Sequence, residues 1–453
     1  MPNQEVVKFA MPLAHSSRAP ESSRLRYPKE MRLPILALAL PLALVAQEPA
    51  ILAAVDRQAA PALTLLESLV NQNSGTFHHA GVRAMAELTR TEFDALGFTT
   101  RLLPMDAVNR GPHLIAEHKG NGGKPILLIG HLDTVFEPAS PFQKFERKGP
   151  GATGPGVADM KGGIVVLLTA LRALHAAGQL APLPLTVMLT GDEEEPGRRP
   201  DLPNHSRLEM VRLAKLSRAA LSFEGGIKGL GFDYATTARR GYLGWEVRST
   251  GKAGHSGQVF TESSGYGAIY EISRVISTFE QTLKEPNLTF NAGLLLGGGA
   301  VQADADGKAT ADGKPNIIAA QALARGEVRA LEPAQVSRIK DRMYAIVAKS
   351  LPGTQSEIKF VDGAPPMPPT PGNRRLLALY DDASRTAGLG RIEELDPMQR
   401  GAGDISYIAA YVDCLDGLGA VGAGTHAIGE SVELDSLTKQ AKRAALLLYR
   451  LGR

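Results

Sequence analysis

Ile126-Leu127-Leu128-Ile129-Gly130-His131-Leu132-Asp133 is an apolar run that stops on a glycine, a histidine and an aspartate. Its first four residues read as a strand buried on both faces. His131 and Asp133 lie two residues apart just past it, so an extended backbone sends both to the same side. The plan recurs down the chain. Leu183–Thr190 is followed by Gly191-Asp192-Glu193-Glu194-Glu195, and Ala219–Phe223 by Glu224. Met160–Ala177 reads as a helix, introduced by Gly-rich sequence and ended near Gly178. Upstream, Ile51–Leu96 is helical in pattern, with Leu63, Leu66, Leu69 and Val70, then Met85, Leu88 and Phe93, at helical intervals. Strands alternating with helices predict a mostly parallel sheet with helices on both faces, an α/β fold.

Near Arg240 the pattern changes. Tyr242–Thr250 alternates like a half-exposed strand, Gly265–Leu283 reads as an amphipathic helix, and Asn287–Leu296 and Asn316–Leu331 read as strands. Glu332–Ala348 reads as a helix with Pro333 in a first turn that tolerates it, and Ser356–Val361 as a strand. The order β-α-β-β-α-β is that of a ferredoxin-like unit. A Pro-rich linker, Ala364–Pro371, precedes two more helical stretches, Asn373–Gly388 and Leu434–Leu451. The expected organisation is a catalytic domain in two parts, 48–239 and 363–453, interrupted by an inserted domain at 240–362.

At 453 residues the chain is long enough for two cores. Its 50 basic and 47 acidic residues leave +3, and the basic ones are scattered, so no nucleic-acid partner is expected. Cys414 is the single cysteine, which excludes an intrachain disulfide and multi-thiolate zinc sites. Residues 1–47 read as a signal peptide with an upstream extension. Leu33–Ala46 is an apolar run of 14 residues behind Arg24, Arg26, Lys29 and Arg32, too short to span a bilayer comfortably. Met31 is an alternative start. The expected location is periplasmic or secreted, with no stable membrane span.

Five clusters end in groups suited to metal-assisted hydrolysis: His131 with Asp133, Asp159 within Gly156–Gly163, the acidic run 192–195, Glu224, and Gly424-Thr425-His426. Each alone has an ordinary reading. Asp159 could be a helix N-cap, 192–195 a solvated acidic loop, and His426 a solvated loop histidine. Together they fall at the C-terminal ends of strands or in the loops beyond, where open α/β sheets place their ligand crevice. Two histidines with several carboxylates suggest paired zinc ions and a spare carboxylate for proton transfer. Asp133 could orient the His131 ring. His255, in Gly251–Gly257, stands apart in the inserted domain.

GHLDTV, GPGVADMKGG, TGDEEE, LSFEGG, TGKAGHSG and the late Gly-rich histidine resemble the zinc-dependent hydrolases that include carboxypeptidase G-type glutamate carboxypeptidase, aminoacylase and succinyl-diaminopimelate desuccinylase. The resemblance runs from about residue 60 to 450. It implies two zinc ions per chain: Asp159 bridging both, His131 and Glu224 completing one site, Glu194 and His426 the other. It makes Glu193 the general base and Asp133 the support of His131. It assigns His255 to the substrate carbonyl, typically across a homodimer formed through the inserted domain. Asn316 and Arg329 become substrate contacts, Arg329 as a clamp for a free α-carboxylate. Two loops depart from the family pattern: the basic, Pro-rich segment 196–203, and the surroundings of His426, which lack a Tyr-His-Ser form. The expected substrate is a small molecule or short peptide, and the expected reaction hydrolysis of an amide beside a free carboxylate. The alternatives are an aminoacylase or dipeptidase and, in another class, a non-catalytic exported binding protein.

Overall fold

The computed structural model describes residues 39–199, 201, 204–304 and 307–453. The expected leader falls on residues 1–38, outside the described residues, and on the start of the helix Ala39–Arg57. No helix among the described residues is long and apolar enough to cross a membrane.

Ile126–His131 is a strand buried at all six positions. It pairs in parallel with Leu185–Thr190 on one side and Ala219–Ser222 on the other, and Cys414–Leu415 continues the parallel set beyond Ala219–Ser222. Leu127 and Ile129 pack with Met188, Met210, Leu213 and Ile405 on one face of the sheet. By the two-residue period, Ile126 and Leu128 face the opposite layer, where the helices Lys161–Ala176 and Leu434–Leu451 pack together. Thirteen of the sixteen residues of Lys161–Ala176 are buried, which explains its nearly continuous apolar sequence.

The parallel core carries two antiparallel strands that the periodicity of the sequence does not separate: Arg110–His118 beside Leu185–Thr190, then Thr99–Met105 at the edge. Pro104 is accommodated there because an edge strand has one side free of ladder bonds.

The inserted domain has the expected β-α-β-β-α-β order. Its strands Gly241–Gly251, Thr289–Gly298, Gln321–Ala330 and Thr354–Asp362 form one antiparallel sheet, in which first and third pair centrally, flanked by fourth and second. The helices Ala268–Thr282 and Pro333–Val347 cover one face through Ile272, Val275, Phe279, Ile339 and Met343, packed with Trp245, Val247 and Ala324. Two local expectations need correction. The run 316–331 is not one strand: Ile317–Ile318 pairs with Gly254–His255, and the sheet strand starts only at Gln321. The Pro-rich linker ends one residue early, because Pro371 is the first residue of a helix capped by Thr370, whose Oγ accepts from the Asn373 N–H at 3.0 Å.

Candidate metal centre

Three parallel strands deliver acidic or imidazole groups to one edge of the sheet, and two loops close over them. His131 is the last residue of its strand and 1% exposed. Its Nε2 lies 3.1 Å from Asp159 Oδ1 and 3.5 Å from Glu224 Oε1. His426 Nε2 lies 3.1 Å from Asp159 Oδ2 and 3.1 Å from Glu194 Oε2. Asp159 therefore presents one oxygen to each imidazole, and each imidazole has one further carboxylate. In both triads, His131–Asp159–Glu224 and Asp159–Glu194–His426, the donor atoms lie within 4.8 Å of one another. A tetrahedral zinc with ligands at 2.0–2.2 Å spaces them by about 3.3–3.6 Å, so both donor sets fit a small cation.

Charge makes the same point. Without a counter-cation, burial pushes the Glu224 carboxyl up to about 7, helped by nearby Asp159. Burial likewise raises Glu194, and raises Glu193 well above the ordinary value. Burial would raise Asp159 too, but hydrogen bonds from His131 and His426 hold it far below the usual range. Hydrogen bonds to Asp159 and Glu194 lift His426 to about 11. For His131 burial opposes protonation, and Asp133 and Asp159 outweigh it. The cluster thus demands positive charge, which protons or metal cations must provide.

Asp133 has a broader task than orienting one ring. His131 Nδ1 lies 3.1 Å from the Asp133 backbone carbonyl, closer than the 3.4 Å to its carboxylate. The carboxylate itself accepts from Thr76 Oγ (2.7 Å) and from the backbone N–H groups of Glu193 (3.0 Å) and Glu194 (3.2 Å). It thereby fixes the backbone of the acidic loop and leaves both glutamate side chains free to turn into the centre. Among the described residues no hydrogen bond or ion pair engages the Glu193 carboxylate, although burial and neighbouring Glu224 and Glu194 act on it.

Behind the loop, Arg207 is 1% exposed and bridges Asp192 and Asp404, while Asp404 also accepts from Thr190 Oγ. The run 192–195 is thus not four equivalent acids. Asp192 is a buried structural partner of Arg207, Glu193 and Glu194 face the centre, and Glu195 is exposed. Arg239, one of the scattered basic residues, is buried beside the centre. It bonds Asp416 and the carbonyls of Gly401 and Ala402, leaving Nη2 without a partner among the described residues. No local signal marks it, since the residues before it, Asp233-Tyr234-Ala235-Thr236-Thr237-Ala238, are a mixed polar run.

The three inserted-domain residues do not join the cluster within one chain. His255 is exposed, its Nδ1 accepting from the Gly257 N–H. Asn316 is exposed beside it, its carbonyl accepting from Ser256 N–H at 3.0 Å. Arg329 is half-buried, paired with Glu327 at 2.7 Å and stacked near the Tyr242 ring.

Residues 127–450 match the model of peptidase family M20/M25/M40. The chain belongs to this family. Carboxypeptidase G2 of Pseudomonas sp. (strain RS-16) is 30% identical over 412 residues, covering 88% of this chain and 91% of that protein. Aminopeptidase PepT of Bacillus cereus has the same fold, with a TM-score of 0.68 at 18% identity over 87% of this chain and 99% of that one. The YXEP protein of Bacillus subtilis, described as a dinuclear metal-binding M20 peptidase, has a TM-score of 0.60 at 13% identity, over 87% and 99% of the two chains. The M20 chain described here is a metal-dependent hydrolase, and its α/β catalytic domain with a ferredoxin-like insertion is the architecture of the family.

Proposed function

We propose that the protein is a co-catalytic zinc carboxypeptidase that hydrolyses an amide bond next to a free carboxylate, with C-terminal glutamate as the favoured leaving residue. The observation that carries the reading is the pair of donor triads sharing Asp159, with the unengaged Glu193 carboxylate beside them. His131, Asp159 and Glu224 would hold one cation, and Asp159, Glu194 and His426 the second. When bound, the cations acidify a water and polarise the substrate carbonyl. Glu193 then takes the water proton during attack and returns it to the departing nitrogen, a task suited to a carboxyl whose pKa burial has raised. Asp133 holds Glu193 in place through its backbone N–H.

The similarity to carboxypeptidase G2 supports the leaving group, and Arg329 is the group chemically suited to an α-carboxylate. His255 and Asn316 are exposed on the inserted domain, and a homodimer through that domain would bring them to the substrate of the partner subunit. Export by the N-terminal segment would place the enzyme in the periplasm or outside the cell.

Glu193→Gln, with unchanged zinc content, should cut turnover by roughly a thousandfold or more; near wild-type activity would defeat the assignment. One observation favours a second reading, an aminoacylase or dipeptidase. Glu327 already occupies Arg329 in this structure, which weakens its claim as a carboxylate clamp. Rates on C-terminal glutamyl conjugates, N-acetyl amino acids and dipeptides separate the two.

A further inference from the structure

Glu430 lies four residues after His426 and is 1% exposed. Its carboxylate accepts three backbone N–H groups from the loop that carries Asp159. Oε1 takes those of Ala158 (2.8 Å) and Asp159 (2.9 Å), and Oε2 takes that of Gly156 (3.1 Å). The Glu430 carbonyl accepts a fourth, from Gly154 at 3.2 Å. Next to it, Ser431 pairs with Thr153 in a short antiparallel ladder. The loop is shaped for this. Gly156 has φ +71°, and a Cβ there would stand 2.5 Å from Thr134 Cγ2. On its other side Glu430 closes the His426 turn, its own N–H bonding the Ala427 carbonyl at 3.1 Å.

We propose that Glu430 is a positioning residue that locks the Asp159 loop to the His426 loop and so sets the affinity of the centre for the cation between Asp159, Glu194 and His426. Asp159 and His426 are 267 positions apart, and their side chains meet at 3.1 Å. Among the described residues, the backbone of the two loops is tied together by the short ladder that pairs Ser431 with Thr153 and by the bonds that Glu430 accepts. A carboxylate accepts without donating, so it can satisfy several converging N–H groups. A carboxamide in its place must turn an NH₂ group against one of them. Supporting residues of this kind typically change metal affinity by about 10–100-fold.

The inference rests on the two-cation reading, and the experiment keeps the two apart. The full chain is stripped with chelator and titrated with Co²⁺, following d–d absorption and metal stoichiometry, for wild type, Glu430→Gln, Glu430→Asp and the control Glu433→Gln, whose half-buried carboxylate pairs with Lys228 instead of the Asp159 loop. Wild type and Glu433→Gln should bind two ions. Glu430→Gln should bind the first with unchanged affinity and the second about 10–100-fold more weakly, with Glu430→Asp in between. A wild type that binds fewer than two ions removes the two-cation reading itself. Two ions at wild-type affinities in Glu430→Gln overturn the positioning role alone. Amide hydrogen exchange on metal-free wild type needs no variant to fold. The N–H groups of Gly156, Ala158 and Asp159 should be protected, and exchange as fast as that of exposed loop amides would overturn the proposal.

Discussion

His131 closes a strand buried at every position and is itself 1% exposed. His426 stands on a loop at φ 63°, a left-handed conformation uncommon for a residue with a side chain, and that side chain is 56% exposed. The two imidazoles nonetheless reach the same carboxylate at the same 3.1 Å. The difference is in what holds them. His131 inherits its place from the sheet. His426 depends on local bonds made by its own turn and on the residues that anchor that turn. One half of the centre is thus as rigid as the core, and the other is adjustable.

The sharpest way to break this comparison is to remove the group both halves share. Asp159→Asn should lose both cations and lower turnover by more than about a thousandfold, since even outer-shell partners cost 10–100-fold; metal analysis after dialysis checks it. Removing one imidazole at a time separates the halves. His426→Ala should retain about one cation per chain, whereas His131→Ala should lose the metal and also unfold at lower temperature, because it leaves the Asp133 carbonyl and buried carboxylates without a donor, a cost of about 1–3 kcal/mol. Equal metal content in the two variants would remove the distinction between a rigid half and an adjustable one.

Proton release gives a finer test. His426 is lifted to about 11 by Asp159 and Glu194, so it is protonated in the metal-free protein at pH 8 and must lose that proton to bind a cation. Apparent affinity at this position should therefore rise with pH, by up to about tenfold per unit for each proton displaced, and flatten above the folded pKa. Below pH 7 the Glu224 carboxyl, itself near 7, adds a second proton on the other side. Calorimetry in buffers of different ionisation enthalpy counts these protons. The smallest effect belongs to Ile428, 70% exposed on the His426 loop. Ile428→Ala should leave stability within about 0.5 kcal/mol.

How much of this was legible beforehand follows the same division. The strand at 126–131 and the acids after 185–190 and 219–222 are marked by apolar runs that end abruptly, because a fully buried parallel strand has no polar positions until it leaves the sheet. The antiparallel strands Thr99–Met105 and Arg110–His118 carry no such mark, because Pro104, Pro112 and His113 interrupt their apolar residues. The donor residues were readable because their chemistry is unusual at strand ends. The partners that hold them were not, since Thr76, Arg207 and Glu430 are ordinary residues made important by contacts 15 or more positions away. The Asp133 carboxylate shows the limit best. Its spacing from His131 points to that ring, and nothing local announces that it grips the backbone of residues 193 and 194.

The sharing of Asp159 between distant partners also sets an order in time. Ribosomes make about 5–20 residues per second, so Glu224 leaves the ribosome roughly 10–40 s before His426. During that interval the nascent chain already carries His131, Asp159, Glu193, Glu194 and Glu224, a half-built cage of mostly negative charge. The chain must keep these groups apart or protonated until the late loop arrives, and the same interval is a window in which a single ion can be captured early.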